Sequence, residues 1–304
     1  MNDYQAVREG GAGLIDLSTL RGRIRVTGSE AVMFLNGLIT NDMKTLEDGR
    51  WMPAVFPSVQ GRLIGAVRVI RSGSSFLIDT DAASHEAVLK TISRFTLAGD
   101  FKVSDVTAET VLLSVQGAKA SEIVGQVELP ADGIMIRATQ TGESGFDLIS
   151  DSTSLAEKLV AAGAQRVSPE TYEILRIEAG IPRHGVDMDE TNVVLETNLD
   201  DAISFTKGCY LGQEIIIRIK HRGHVAKKLT GMRFENPVDA GAAVVSADKE
   251  IGRITSVTYS PKLESTIALG YVRHEYLQAG TAVKVGDVAG TVTDLPFIRG
   301  SWYE

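Results

Sequence analysis

A thiol, an amine, an aromatic ring, an amide and a carboxylate lie together in Lys207-Gly208-Cys209-Tyr210-Leu211-Gly212-Gln213-Glu214, and Cys209 is the chain's single cysteine. Such a set suits a redox or nucleophilic thiol, or a loop that contacts a ligand. Lys207 beside the thiol, and a helix opening at Gln213-Glu214, would both favour the thiolate. A free cysteine is more simply a small apolar side chain, and that reading stays open. Gly208 and Gly212 imply tight turns or a close backbone approach, because glycine alone takes positive φ without steric cost. His221 and His224 are spaced as helical metal pairs can be, but no third ligand follows at a convincing spacing; they read as surface histidines, and no metal is expected.

The elements that position this loop belong to a chain of 304 residues, long enough for two or three domains. With 43% apolar and 23% charged residues the composition is globular. One cysteine permits no internal disulfide and cannot alone hold an iron–sulfur cluster. No basic leader and no apolar run of about 18 residues is present, so the expectation is a cytoplasmic protein without a membrane partner. The net charge of −8 argues against direct nucleic-acid binding. It is uneven, however: Lys207, Arg218, Lys220, Arg222, Lys227 and Lys228 face the single acid Glu214. That stretch is either a site for a polyanionic ligand, an acidic partner or an RNA backbone, or a solvated basic face.

Hydrophobic periodicity predicts strands over 23–26, 51–56, 63–70, 76–79, 111–115, 134–139 and 146–150, and helices over 31–39, 81–95 and 155–162. Ser29 is the predicted N-cap of the first of these helices. The stretches Val26-Thr27-Gly28-Ser29-Glu30-Ala31 and Val115-Gln116-Gly117-Ala118-Lys119-Ala120 echo one another as strand, glycine and helix, which suggests two related α+β subdomains. Ser168 followed by Pro169 and Glu170, with Gly180 beyond, marks a helix carrying Arg176 and Glu178. After residue 228 six short β-rich runs (229–234, 242–246, 251–259, 266–272, 282–285 and 288–293) predict a small all-β barrel or sandwich. The β-branched run 215–219 does not decide between helix and strand.

The octapeptide K-G-C-Y-L-G-Q-E resembles the signature of the YgfZ-type folate-binding proteins, a branch of the family that contains the T-protein, the aminomethyltransferase of glycine cleavage. Thr141-Gly142-Glu143-Ser144-Gly145-Phe146, Arg176-Ile177-Glu178-Ala179-Gly180 and Gly252-Arg253-Ile254-Thr255-Ser256 are similar to further motifs of that family. The resemblance implies an α+β, three-domain, aminomethyltransferase-like cloverleaf around a central channel. Its parts would be a folate-binding region over 1–225, with two intertwined subdomains of which the second covers roughly 52–136, and a C-terminal β-barrel over 226–304. It favours a short helix at 215–219. It implies tetrahydrofolate, or a derivative, as bound ligand.

The family's pterin-binding acid matches Glu143; a carboxylate accepts a ring N–H and its neighbouring amine as a paired bond, while the plain reading is a surface turn acid. Asn198, Arg176, Tyr210, Gln213, Glu214 and Arg218 would complete the ligand contacts, and Cys209 and Lys207 would carry the chemistry. Arg176 and Glu178, two apart, cannot share a helix face, so a structural ion pair remains equally open for Arg176. Gly65 falls where aminomethyltransferases carry a catalytic aspartate, and glycine moves no proton. The resemblance therefore implies an accessory protein that supports assembly or repair of iron–sulfur clusters, including those of tRNA-modifying enzymes, with those proteins or their assembly machinery as partners. The alternative is a folate-dependent one-carbon transferase or demethylase.

Overall fold

The structure, a computed structural model, describes residues 2–94 and 99–304. It opens with α1 (Asp3–Arg8), whose cap is reciprocal: the Gln5 N–H donates to Asn2 Oδ1 and the Asn2 N–H to Gln5 Oε1. Next come β1 (Gly13–Asp16), β2 (Arg21–Thr27), α2 (Ala31–Leu38), β3 (Trp51–Pro57), β4 (Leu63–Ser72), β5 (Ser75–Asp81), α3 (Ala82–Ser93) and β6 (Lys102–Asp105). The second run is β7 (Val111–Gln116), α4 (Ala120–Val124), β8 (Ile134–Arg137), β9 (Gly145–Ser150), α5 (Leu155–Ala161), β10 (Gln165–Arg166) and α6 (Pro169–Glu178). After a long irregular stretch follow α7 (Gln213–Arg222), β11 (Lys227–Phe234), β12 (Ala243–Ser246), β13 (Lys249–Ser260), β14 (Ser265–Arg273), β15 (Ala282–Val285) and β16 (Val288–Thr293).

The two echoing stretches fold alike. Gly28 (φ +116°) and Gly117 (φ +121°) each turn a strand into a helix, and each carbonyl accepts the first helical N–H, from Ala31 and Ala120. A Cβ at Gly28 would meet Asp100 O at 2.2 Å, and one at Gly117 would meet Gly11 O at 2.8 Å, so both turns require glycine. Ser29 is not the cap: its hydroxyl donates to Asp100 Oδ2 at 2.6 Å, and Glu30, whose Oε2 accepts from the Asp100 N–H, precedes the helix without a side-chain capping bond. The backbone turn already satisfies the first amide. The helix predicted over 81–95 ends at Ser93, and Phe95 lies outside the described residues.

Strand pairing sorts the α+β region into two five-stranded sheets, ordered β10-β1-β7-β9-β8 and β3-β4-β5-β2-β6. The second sheet draws on residues 21–105 rather than 52–136, because β2 pairs with β5 and β6 while β7 and β8 join the first sheet. The chain thus starts one sheet, completes the other as an insertion, and returns. All six predicted β-runs after residue 228 form strands, and they close a barrel in the order β11-β14-β13-β12-β15-β16.

Outer sheet faces are covered by helices: α2 and α3 bury Leu35, Val88 and Ile92, and α4 and α5 bury Ile123 and Leu159. The inner faces meet through Ile15, Leu17, Ile70, Leu77, Leu112 and Ile149. Beside this apolar layer Arg21 and Arg68 pair with the fully buried Asp79, and Arg68 also reaches Asp147 on the opposite sheet. The interior between the sheets is therefore packed with aliphatics and neutralised charge. α6 ties the α+β region to the barrel through Ile177 against Leu229, Ile267 and Leu269.

Candidate functional site

Glu143 sits on the turn joining β8 to β9. Gly142 takes φ +81°, and a Cβ at Gly145 would come within 2.2 Å of Gln116 Nε2, so the flanking glycines answer to geometry. The side chain is nearly buried and fully bonded. Arg8 Nη1 donates to Oε1 at 2.8 Å, while the N–H and hydroxyl of Ser301 both donate to Oε2 at 2.9 Å. Burial pushes the carboxyl up, but Ser301 and Arg8 outweigh it and hold Glu143 below the ordinary carboxylate value. Arg8 extends the network, since its Nε and Nη2 donate to Glu178 Oε2, and Glu178 Oε1 accepts from Tyr4 at 2.7 Å and from Ser260 at 2.6 Å.

Cys209 is exposed. Lys207 does not attend it: its ammonium donates to the carbonyls of Asn36, Ile39 and Asn41 at 2.7–2.9 Å, which uses all three of its N–H bonds. Burial pulls this amine down to about 8, so at neutral pH it is still charged. The expected support of the thiolate by Lys207 is thereby corrected. Gly212, the α7 cap, takes φ +76°, and a Cβ there would stand 2.2 Å from Ser58 O; Gly208 has open space and needs no glycine. Residues 215–219 are helical, with Gln213 and Glu214 in the first turn. Glu214 pairs with Arg218 at 2.6 Å in solvent, and Gln213 reaches only Gly208 O at 3.5 Å. Tyr210 is buried among Val55, Leu63 and Ile216, and burial of its hydroxyl, which has no bond partner among the described residues, pushes it up to about 12.

Arg176 is a structural cation. It pairs with Glu173 and, at 2.8 Å, with the fully buried Asp187, and donates to Ser256 on β13 at 2.7 Å. Arg176 and Glu178 do face different neighbours, as their spacing requires. At Gly65 a Cβ would meet Val88 Cγ2 at 2.5 Å, so a side chain there would press into α3. Elsewhere on β4, Ala66 packs in the cluster of Met188, Tyr210 and Ile216 and Arg68 reaches the other sheet, and neither is a carboxylate.

Gly142, beside Glu143, lies near Ala179 and Tyr303, which belong to the wall of a cleft that Glu143 itself does not line. About 550 Å³ in volume, it is lined by Asn198, Lys228, Asp294, Leu295, Arg299 and Tyr303, among others, within the range of small-molecule sites. Asn198, in the left-handed region at φ +60°, donates to Leu229 O at 2.7 Å. A second cleft, about 480 Å³, lies between residues 186–192 and β13–β14 and includes none of the expected site residues. The structure thus places Asn198 in the wall of the first cleft, and Cys209, Gln213, Glu214 and Arg218 line neither cleft. Size and acid suit a pterin; the carboxylate face that its paired donors would need is filled by Ser301. Arg8 and Ser301 were not foreseen. The Asn2…Gln5 spacing signals the helix that carries Arg8, whereas nothing in the sequence marks Ser301.

The family model described as the GCVT N-terminal domain matches residues 1–133, and the glycine cleavage T-protein C-terminal barrel domain matches residues 227–298. An aminomethyltransferase of Rubrobacter xylanophilus is 31% identical over 98% of this chain and 86% of its own length, and that of Thermotoga neapolitana is 30% identical over 98% and 89%. A putative chloroplastic transferase of Arabidopsis thaliana is 26% identical, over 98% of this chain and 74% of its own. The solved aminomethyltransferase T of the Bartonella henselae glycine cleavage system, 23% identical, shares the fold with a TM-score of 0.90 over 98% of this chain and 89% of that one. By its matched domains and by relatives at 30% identity or more along nearly its full length, the chain belongs to the glycine cleavage T-protein, or aminomethyltransferase, family.

Proposed function

We propose that this protein binds a reduced folate, tetrahydrofolate or a derivative, and serves folate-dependent one-carbon transfer. The observation that carries this reading is Glu143: an ionised, nearly buried carboxylate on a glycine-flanked turn whose Gly142 lies near Ala179 and Tyr303, in the wall of a cleft of about 550 Å³. A carboxylate so placed selects paired N–H donors. Support for transfer comes from the relatives, which are named aminomethyltransferases. They favour it over the accessory role in iron–sulfur cluster assembly, which has the octapeptide and the exposed Cys209 behind it. The folate would supply the one-carbon acceptor nitrogens; this chain would supply the grip on the ring. With glycine and alanine at 65 and 66, proton transfer falls to a group other than the family's aspartate.

Calorimetric titration with tetrahydrofolate should show binding in the unsubstituted chain and its loss in Glu143→Gln; equal affinity in both would remove Glu143 from the site. Incubation with tetrahydrofolate and an aminomethyl donor should yield methylene-tetrahydrofolate. Absence of product, together with loss of iron–sulfur enzyme activity in cells carrying Cys209→Ser, would return the accessory reading to the lead.

A further inference from the structure

The partner that fills Glu143 belongs to the chain itself. Ser301 presents an N–H and an O–H side by side to Oε2, each at 2.9 Å. Around this pair, the Ser144 N–H donates to Ser301 Oγ and the Ser144 hydroxyl to Ser301 O, both at 3.0 Å, and the Trp302 N–H donates to Gly142 O at 3.2 Å. Arg137 covers the Trp302 ring at 5.1 Å. A Cβ at Gly300 would stand 2.5 Å from the Glu143 carboxyl, so only glycine lets the backbone lie this close. Among the described residues, 300–303 nevertheless contribute no side chain to a buried apolar cluster, and Tyr303 is 50% exposed. Polar contacts with one acid and its turn hold the segment, while Arg299 and Tyr303 line the adjoining cleft.

We propose that residues 300–303 are a self-ligand of Glu143, competing with the folate for the same carboxylate. The inference rests on the folate reading given above. Docked, the segment offers Glu143 the donor pair that a pterin edge would offer; undocked, it opens the carboxylate toward the cleft. Arg8 stays on Oε1 in both states and keeps the acid ionised. Apparent affinity is then the intrinsic affinity multiplied by the undocked fraction, so loosening the segment tightens folate binding until that fraction nears one.

The test uses the full chain, Ser301→Ala, Gly300→Ala and a chain ending at Arg299, each titrated calorimetrically with tetrahydrofolate after circular dichroism has confirmed folding. The variants should bind about tenfold more tightly or better, and in the unsubstituted chain quencher access to Trp302 should rise as folate is added. Equal or weaker binding by the variants, with Trp302 still shielded at saturation, would overturn the competition and leave the folate reading standing. No binding by any of the four chains would overturn both. Ser301→Ala, the mildest change, keeps the comparison decisive should the shortened chain fail to fold.

Discussion

Lys207 and Cys209 stand two residues apart and have unlike roles. The ammonium fixes three carbonyls around residues 36–41, so Lys207→Ala should cost about 2–3 kcal/mol in urea unfolding, because three acceptors lose their charged donor. Cys209→Ser, at an exposed site, should stay within about 0.5 kcal/mol. At Glu143 the prediction concerns pH. Its folded value lies below its unfolded one, so its bonds stabilise the fold fully above about pH 4.5 and are lost as pH falls through the folded value. Acid titration should therefore release residues 300–303 before the fold melts, seen as quencher access to Trp302; release at alkaline rather than acid pH would contradict it. The turn around Glu143 was legible because its glycines are local signals. That Arg8 and Ser301, far away in sequence, converge on it was not, since no spacing rule links them.

Among the elements, α6 was the most readable, and its start is as the sequence indicates: the Ser168 side chain accepts from the Thr171 N–H and Pro169 opens the helix. Ser168→Ala should lower stability by about 1 kcal/mol. What the helix does could not be read, because Arg176 and Glu178 find partners on segments distant in sequence, Asp187 and Ser256 for one, Arg8, Tyr4 and Ser260 for the other. Arg176→Met should cost about 3–5 kcal/mol, the penalty for leaving Asp187 buried without its cation. Guanidinium denaturation checks this, and a loss under about 1 kcal/mol would reduce Arg176 to an ordinary surface pair. The barrel strands were legible for a different reason: short apolar alternations between turns need no distant information to be recognised.

At the scale of the whole molecule, the two sheets are joined by an apolar layer and by Arg68, which spans Asp79 and Asp147. Burial would raise Asp79, but Arg21 and Arg68 outweigh it and hold it low, so its contribution is present above about pH 4 and disappears as pH drops through its folded value. Arg68→Ala should move the midpoint of acid unfolding upward and cost about 3–5 kcal/mol at neutral pH; an unchanged acid midpoint would show that the layer alone joins the sheets. The 21–105 boundary of the inserted sheet escaped the sequence because β2 reads as a strand without revealing its partner. That topology also sets an order of assembly during synthesis. β1 carries Leu14 and Ile15, yet its neighbours β7 and β10 end at residues 116 and 166, so this strand leaves the ribosome long before its strand partners exist. The inserted sheet can close cotranslationally while Leu14, which packs against Leu113 and Leu148, waits, which makes the nascent β1 strand a natural client for a chaperone.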